Sequence, residues 1–229
     1  MSVFFRRRGE PPAAFDSVFS NNSWEAIIAA CQSGNVPNRW AVGDSKMMTI
    51  GGTDYKIDII GKNHDTYTAG GTSPLTFQLH DCYETAYAMN SSNTNSGGWT
   101  SCKMRSTRLP AILALMPTEV QNGIREVNKL TSAGNQSATI NTTADKLFLL
   151  SEIEIFGRVD YSNSGEGTQY DYYKAGNSKA KMLSGYQWDW WERSPCGIDP
   201  TSFCIVDSYS DTNYNDANGP LGVAFAFCF

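Results

Sequence analysis

Three features of this chain predict an α+β domain. Helical periodicity is confined to short stretches, the strand signals lie far apart in sequence, and the last apolar run alternates as a strand covered on both faces would. The pattern begins after residues Met1 to Asn21, which mix Phe, Arg, Pro and Ala without a sustained period. These residues read as an arm for attachment or oligomerisation, ahead of one domain over 22–229. Trp24, Ile27, Ile28 and Cys31 share one face of a first helix from about Ser23 to Ser33, with Asn22 as N-cap, Glu25 three residues later and Gly34 as the stop. Two strands follow, Lys46 to Ile50 and Thr53 to Ile60, and Gly51-Gly52 between them suits a two-residue hairpin turn.

Between Gly61 and Thr107 the chain reads as loop, including a polar run from Met89 to Trp99. Leu109 to Leu115 reads as a short helix, and Pro117 restarts another with Val120, Ile124 and Val127 at helical spacing. Leu147 to Leu150 is a strand candidate, followed by the capping box Ser151-Glu152-Ile153-Glu154 and a short helix ending near Gly157. Four tyrosines sit among small polar residues between Tyr161 and Tyr173. Three strands then close the sequence: Gln187 to Arg193, Phe203 to Asp207 and Gly222 to Phe229. In the last, Val223, Phe225, Phe227 and Phe229 take one face and Ala224, Ala226 and Cys228 the other, so both faces should be buried.

A chain of 229 residues can bury a sizeable core. Its net charge is −5, and basic residues are scattered apart from Arg6-Arg7-Arg8, which argues against a nucleic-acid partner. Val3-Phe4-Phe5 is too short for a signal peptide or a membrane span, so synthesis and folding in a bacterial cytoplasm are expected. The six cysteines, Cys31, Cys82, Cys102, Cys196, Cys204 and Cys228, show no C-x-x-C spacing and suggest neither zinc nor a disulfide scaffold. Cys204 and Cys228 lie in apolar strand-like runs and read as small hydrophobes.

Catalytic signatures are sparse. His64-Asp65 and His80-Asp81 contain the only histidines, and a metal phosphohydrolase would need further ligands on helices; hydrogen bonding of His64 by local backbone is the expectation. No Gly-x-Ser-x-Gly elbow, P-loop or prominent carboxylate pair is present. No cofactor and no metal are expected. Trp190-Trp191-Glu192-Arg193-Ser194 reads as a buried brace for the loops above it rather than as a ligand-stacking platform, with Arg193 on loop carbonyls.

The tail after Arg193 is compositionally unusual. From Ser194 to Phe229 there is no Lys, Met, Trp, Gln or Glu, types that form roughly a fifth of the preceding chain, so about seven would be expected. Every residue present can be encoded by a codon ending in a pyrimidine, and the five missing types cannot. Where strands run, apolar packing explains the same absence. The restriction is therefore informative over Cys196 to Ser202 and Ser208 to Leu221, within a variable region of about 194–221. Roughly half of that region is Tyr, Ser, Asn, Asp or Gly, the palette of antibody loops. The expected binding residues are Cys196, Ile198, Asp199, Pro200, Thr201, Tyr209, Asp211, Asn213, Tyr214, Asn215, Asp216 and Asn218, held on the framework of Trp190, Trp191 and Arg193.

Several segments together resemble a family of phage and prophage proteins with a C-type-lectin-like fold. They are Ser23-Trp24-Glu25-Ala26-Ile27, Ile59-Ile60-Gly61-Lys62-Asn63-His64-Asp65, Gly98-Trp99 with Met104-Arg105, Leu147-Phe148-Leu149-Leu150-Ser151, Trp190-Trp191-Glu192-Arg193-Ser194-Pro195, and Gly222-Val223-Ala224-Phe225-Ala226-Phe227. The ending resembles the variable proteins of diversity-generating retroelements, in which adenine-directed mutagenesis of pyrimidine-ended codons randomises a ligand-binding surface. Two positions depart from that pattern. Glu192 replaces a hydrophobic residue, and Ala224-Phe225 stands where Arg-Pro is typical, so an arginine that would help pin the variable loops is missing.

The resemblance implies a single C-type-lectin-like, formylglycine-generating-enzyme-like domain with a small twisted antiparallel sheet, a few short helices and much loop. It further implies a non-enzymatic receptor-binding protein, a phage tail-tip adhesin carried on a virion or encoded by a prophage. Its ligand would be a host-cell surface protein or glycan, and the arm would join a phage tail or identical subunits. The alternatives are a formylglycine-generating oxidoreductase, for which Cys196 is a loop cysteine without a readable partner, and a calcium-dependent lectin, whose Trp-Asn-Asp element is echoed only by Tyr214-Asn215-Asp216.

Overall fold

A computed structural model describes residues 15–229; residues 1–14 of the expected arm lie outside them. The remainder of that arm is anchored to the core through Phe19, with Phe15 packed against it. Phe19 is buried, edge-on to Trp24 and Trp40 and stacked on Phe77, with ring centroids 5.3–6.4 Å apart. Helix α1, Trp24–Ser33, is capped by Ser23, whose hydroxyl accepts from the Ala26 N–H, and Gly34 ends it at φ 70°. Asn22 is thus not the cap. Its side chain instead folds the preceding turn, bonding the Asp16 N–H and the carbonyls of Asp16, Val18 and Phe19.

Strands β1, Ser45–Ile50, and β2, Thr53–Lys62, form the expected hairpin. Gly51 and Gly52 take φ of 60° and 93°, as a tight primed turn needs. The stretch expected to be loop contains β3, Leu75–Leu79, buried throughout and paired to β2. Thr76 and Gln78 obscured it in the sequence. Both polar side chains are buried because Thr76 donates to Asp65 and Gln78 to the Ala224 carbonyl.

Helix α2, Gly98–Ser101, a π-turn over Met104–Arg108, and α3, Leu109–Leu113, follow. Helix α4, Thr118–Gly123, stops before Val127, which opens strand β4, Val127–Ser132, rather than continuing the helix. Ile124 turns extended at ψ 128°, ending the periodicity that joined the two. β4 pairs with β5, Ile140–Asp145; β6 is only Leu147–Phe148. Helix α5, Glu152–Phe156, has the predicted capping box and ends at Gly157.

After α6, Asp171–Lys174, come β7, Lys181–Leu183, and β8, Tyr186–Trp188. The single strand expected over Gln187 to Arg193 is divided at Asp189: β8 pairs with β7, while β9, Trp190–Pro195, enters another sheet. Then follow β10, Ser202–Val206, β11, Thr212–Asp216, and β12, Ala226–Cys228. β11 lies inside the tail segment read as loop.

The architecture is α+β, with short helices around several small antiparallel sheets. The largest has the order β1-β2-β3-β12-β6, and a second runs β11-β10-β9. β12 seats Phe227 opposite both Phe77 and Leu147, and Gly222 to Phe229 is buried as the alternation required. The two sheets meet where the Trp191 N–H bonds the Gly222 carbonyl, so the frame of the tail is continuous with the main core. No helix among the described residues is long and apolar enough to cross a membrane.

Candidate functional site

The brace beneath the tail is built from side chains carried by β9. Trp190 and Trp191 are fully buried, and their indoles donate to the carbonyls of Lys179 and Tyr87. Arg193 spends five N–H contacts on the Leu130, Leu149 and Glu166 carbonyls and on both oxygens of Glu154, all within 2.5–3.1 Å. Lys129 joins Glu154 to Asp65, at 2.7 and 2.8 Å, and donates to the Tyr170 hydroxyl at 3.1 Å. This chain alternates acid and base, so buried charges cancel in pairs. Removing one member would leave its partner unpaired, typically at a cost of about 3–5 kcal/mol. Although burial opposes ionisation, Lys129 and its neighbours hold the Asp65 carboxyl down at about 2.

Two further acids respond to burial differently. Glu166 receives the Ser132 N–H and the Ser194 hydroxyl, yet desolvation raises it to about 7. Glu192 is fully buried, neither carboxyl oxygen has a hydrogen-bond partner, and burial pushes it well above the usual carboxylate range.

A cavity of about 270 Å³ opens over Asp65, Lys129 and Glu154, with His64 on its wall. Its charged floor is already saturated by internal partners, which marks it as part of the brace. The expected backbone hydrogen bond to the His64 ring is not made among the described residues; the ring stacks on Tyr170 at 3.9 Å instead, and His80 Nδ1 lies 2.6 Å from Asp58, so the two His-Asp steps do not converge on one site. Among the described residues no group of three or more His, Cys, Asp or Glu could hold a metal ion.

The tail mounts its polar residues on the β10–β11 hairpin and the loop before it. Tyr209 is 90% exposed and Ile198 61%; Pro200, Asp211, Asn213, Tyr214, Asp216 and Asn218 are exposed, while Asp199, Thr201 and Asn215 are half-buried. Cys196 is the exception. Its side chain is buried, burial raises its thiol, and its N–H closes the loop onto the Ser202 carbonyl, so it belongs beneath the surface rather than on it.

Local bonds hold this face still. Asp199 accepts from the Thr201 N–H and hydroxyl and from the Ser202 hydroxyl, which keep its carboxyl below the ordinary value. The turn between β10 and β11 is tied by Asp207, whose carboxylate accepts the Tyr209 and Asp211 N–H groups.

β11 is an edge strand. The bonds Ala217 N–H to Thr201 and Asp207 N–H to Asp211 fix the register so that Thr212, Tyr214 and Asp216 turn their backbone groups away from β10. Each of these three N–H groups is taken by the side-chain oxygen of the preceding residue: Asp211, Asn213 and Asn215, at 2.8–2.9 Å. The edge therefore offers side chains to a partner and withholds its donors from strand addition.

Other segments complete the rim, and the sequence reading did not name them. Asn95, fully buried within the polar run before Trp99, places its amide nitrogen 2.7–3.1 Å from the carbonyls of Cys196, Asp199 and Ser202. Glu152 collects the N–H groups of Tyr161 and Ser162, the Ser162 hydroxyl and the Thr212 hydroxyl, joining the loop after α5 to β11. Tyr161 packs edge-on against Tyr214 at 5.0 Å. The tyrosine-rich stretch was the available signal for that loop. Nothing in the sequence singled out Asn95.

The family model described as a domain of unknown function, DUF6273, matches residues 75–229. The chain belongs to that family. The matched region begins at β3 and contains Trp190, Trp191, Arg193, Glu154 and Lys129 of the brace, the β10–β11 hairpin and every rim loop; of the brace, Asp65 lies before it. No curated protein and no solved structure matches the chain.

Proposed function

We propose that this chain is a non-enzymatic receptor-binding protein of C-type-lectin-like type, a phage tail-tip adhesin whose β10–β11 face is diversified to meet a host-cell protein or glycan. One observation carries the reading: the residues of the compositionally restricted tail divide by position, with its Tyr, Asn and Asp side chains on an exposed hairpin and its apolar ones in a rigid frame. A surface of that design tolerates change without loss of fold, since exposed substitutions away from special features usually shift stability by less than about 0.5 kcal/mol. Tyr209 and Tyr214 supply rigid contact area, and the small polar residues adapt their hydrogen bonds. The edge-capped β11 supports recognition through side chains.

Cysteine chemistry adds weight. All six cysteines are buried free thiols, and burial raises those of Cys196 and Cys204, which favours the unreactive thiol over the nucleophilic thiolate. Sequencing the gene and its neighbourhood tests the proposal. A near-identical template repeat beside a reverse-transcriptase gene, with adenine-linked differences confined to codons 196–202 and 208–221, is the expected result. Absence of both would remove the diversification reading.

A further inference from the structure

Glu152 is the clasp of the rim, and Glu192 lies within reach of its charge. The Glu152 carboxylate, fully buried at the start of α5, accepts the Tyr161 and Ser162 N–H groups and the Ser162 and Thr212 hydroxyls at 2.6–3.2 Å. Those bonds tie the loop after α5 to β11. The Glu152 N–H donates at 3.0 Å to Ser194 on β9, whose hydroxyl donates to Glu166, so three segments close around one acidic cluster. Glu192, two residues before Ser194, completes it, and both its oxygens are buried without a donor.

The groups that face Glu192 are Glu152 and Glu154 from α5, Glu166 from the loop before α6, Cys204 from β10, Tyr173 from α6 and Arg193 from its own strand. Burial pushes the Cys204 thiol and the Tyr173 phenol far up, so both are neutral. Arg193 is committed to Glu154 and to three carbonyls. None of these groups supplies an uncommitted positive charge. Burial first, then the charges of Glu152 and Glu166, hold the Glu192 carboxyl well above the ordinary range. Loss of its proton would set Glu192 against Glu152 in an interior where like charges repel far more strongly than in water. The strand resists movement, because Trp191 and Arg193 on either side are fully buried and hydrogen-bonded. The clasp yields more easily, since Tyr161, Ser162 and Thr212 are only half-buried.

We infer that Glu192 is a proton switch for the rim: while it keeps its proton, Glu152 holds the loop at Tyr161 and Ser162 on β11, and when it ionises, Glu152 is driven outward and the loop is released. The rim is thus closed in acid and opens as pH rises. Glu166, raised to about 7, adds charge to the same cluster and acts in the same direction. That an open rim alters ligand capture rests on the reading of this face as the binding surface; the release itself does not.

Hydrogen–deuterium exchange of the whole protein, corrected for the intrinsic pH dependence of amide exchange, reads the switch. Between pH 5 and pH 9, peptides covering residues 158–164 and 209–214 are expected to lose protection relative to peptides from β3, which report global unfolding. The loss reaches up to about tenfold for each pH unit once Glu192 ionises, because opening is linked to release of one proton. Glu192→Gln keeps the shape and cannot ionise, and it should flatten the rim profile toward that of β3; Glu192→Leu repeats the test if glutamine is not accommodated. Glu152→Gln should leave the loop poorly protected at every pH. Rim peptides whose protection stays constant relative to β3 overturn the inference, and so does a wild-type profile in both Glu192 variants. A rim that opens with pH in a protein whose gene lacks a template repeat keeps this inference and removes only the diversification reading.

Discussion

At the residue level, Glu192 separates two uses of buried acid in this protein. Glu154 and Asp65 are ionised and paired with Arg193 and Lys129, whereas Glu192 occupies the same strand as Arg193 with no partner for either oxygen. An unsatisfied buried polar group costs about 1–3 kcal/mol. Glu192→Leu is therefore expected to stabilise the protein by that order, measured by denaturant unfolding. The pH dependence has a definite sign. Glu166, raised to about 7, and Glu192, pushed well above the usual carboxylate range by burial, bind protons more tightly folded than unfolded. Their contribution is fully present below about 4.5, the ordinary glutamate value, and is lost as pH rises toward the folded values. Asp65 acts oppositely, and its contribution is lost only as pH falls from 3.8 toward about 2. Melting temperature should thus decline from pH 5 to pH 8, and less steeply in Glu192→Leu; parallel curves would show that the Glu192 carboxyl is not held neutral.

Among the elements, β11 shows why a binding strand need not be adhesive. Its outward N–H groups are occupied by Asp211, Asn213 and Asn215, side chains whose oxygens reach the next backbone nitrogen. Replacing Asn213 and Asn215 together by valine leaves the strand favourable and uncaps the N–H groups of Tyr214 and Asp216. Light scattering at matched concentration should then report more self-association than in wild type; unchanged scattering would mean that the caps do not guard the edge. Element boundaries also show what local signals can reveal. The β1–β2 hairpin, α1 and α5 were legible because glycine turns and caps act within a few residues. β3 and β11 were not: the buried polar residues of β3 are satisfied by Asp65 and Ala224, outside the strand itself, and β11 is an exposed edge whose residues carry no apolar alternation. The join of α4 to β4 was misread because Val127 happens to continue the helical spacing of Val120 and Ile124.

For the whole molecule, the boundary between arm and domain moves. Phe19 lies against Phe77 at the centre of the main sheet, so removal of residues 1–21 takes out part of the core along with any attachment segment. Phe19→Ala should cost about 3–5 kcal/mol, the usual range for a large aromatic truncated in a core. A full-chain melting temperature for Phe19→Ala would place Phe19 outside the cooperative unit. The same distinction runs through the candidate site. Composition and residue order were enough to mark the tail as unusual, to foresee the buried alternation of β12 and to assign Trp190, Trp191 and Arg193 to a brace, because these depend on residue type and short-range period. Tertiary structure alone decided that Cys196 lies under the face, that Asn95 and Glu152 tie its loops, and that β11 is an edge with its donors capped. Each of those outcomes depends on which distant backbone groups come within hydrogen-bonding reach, and that is settled only when the chain has closed its sheets.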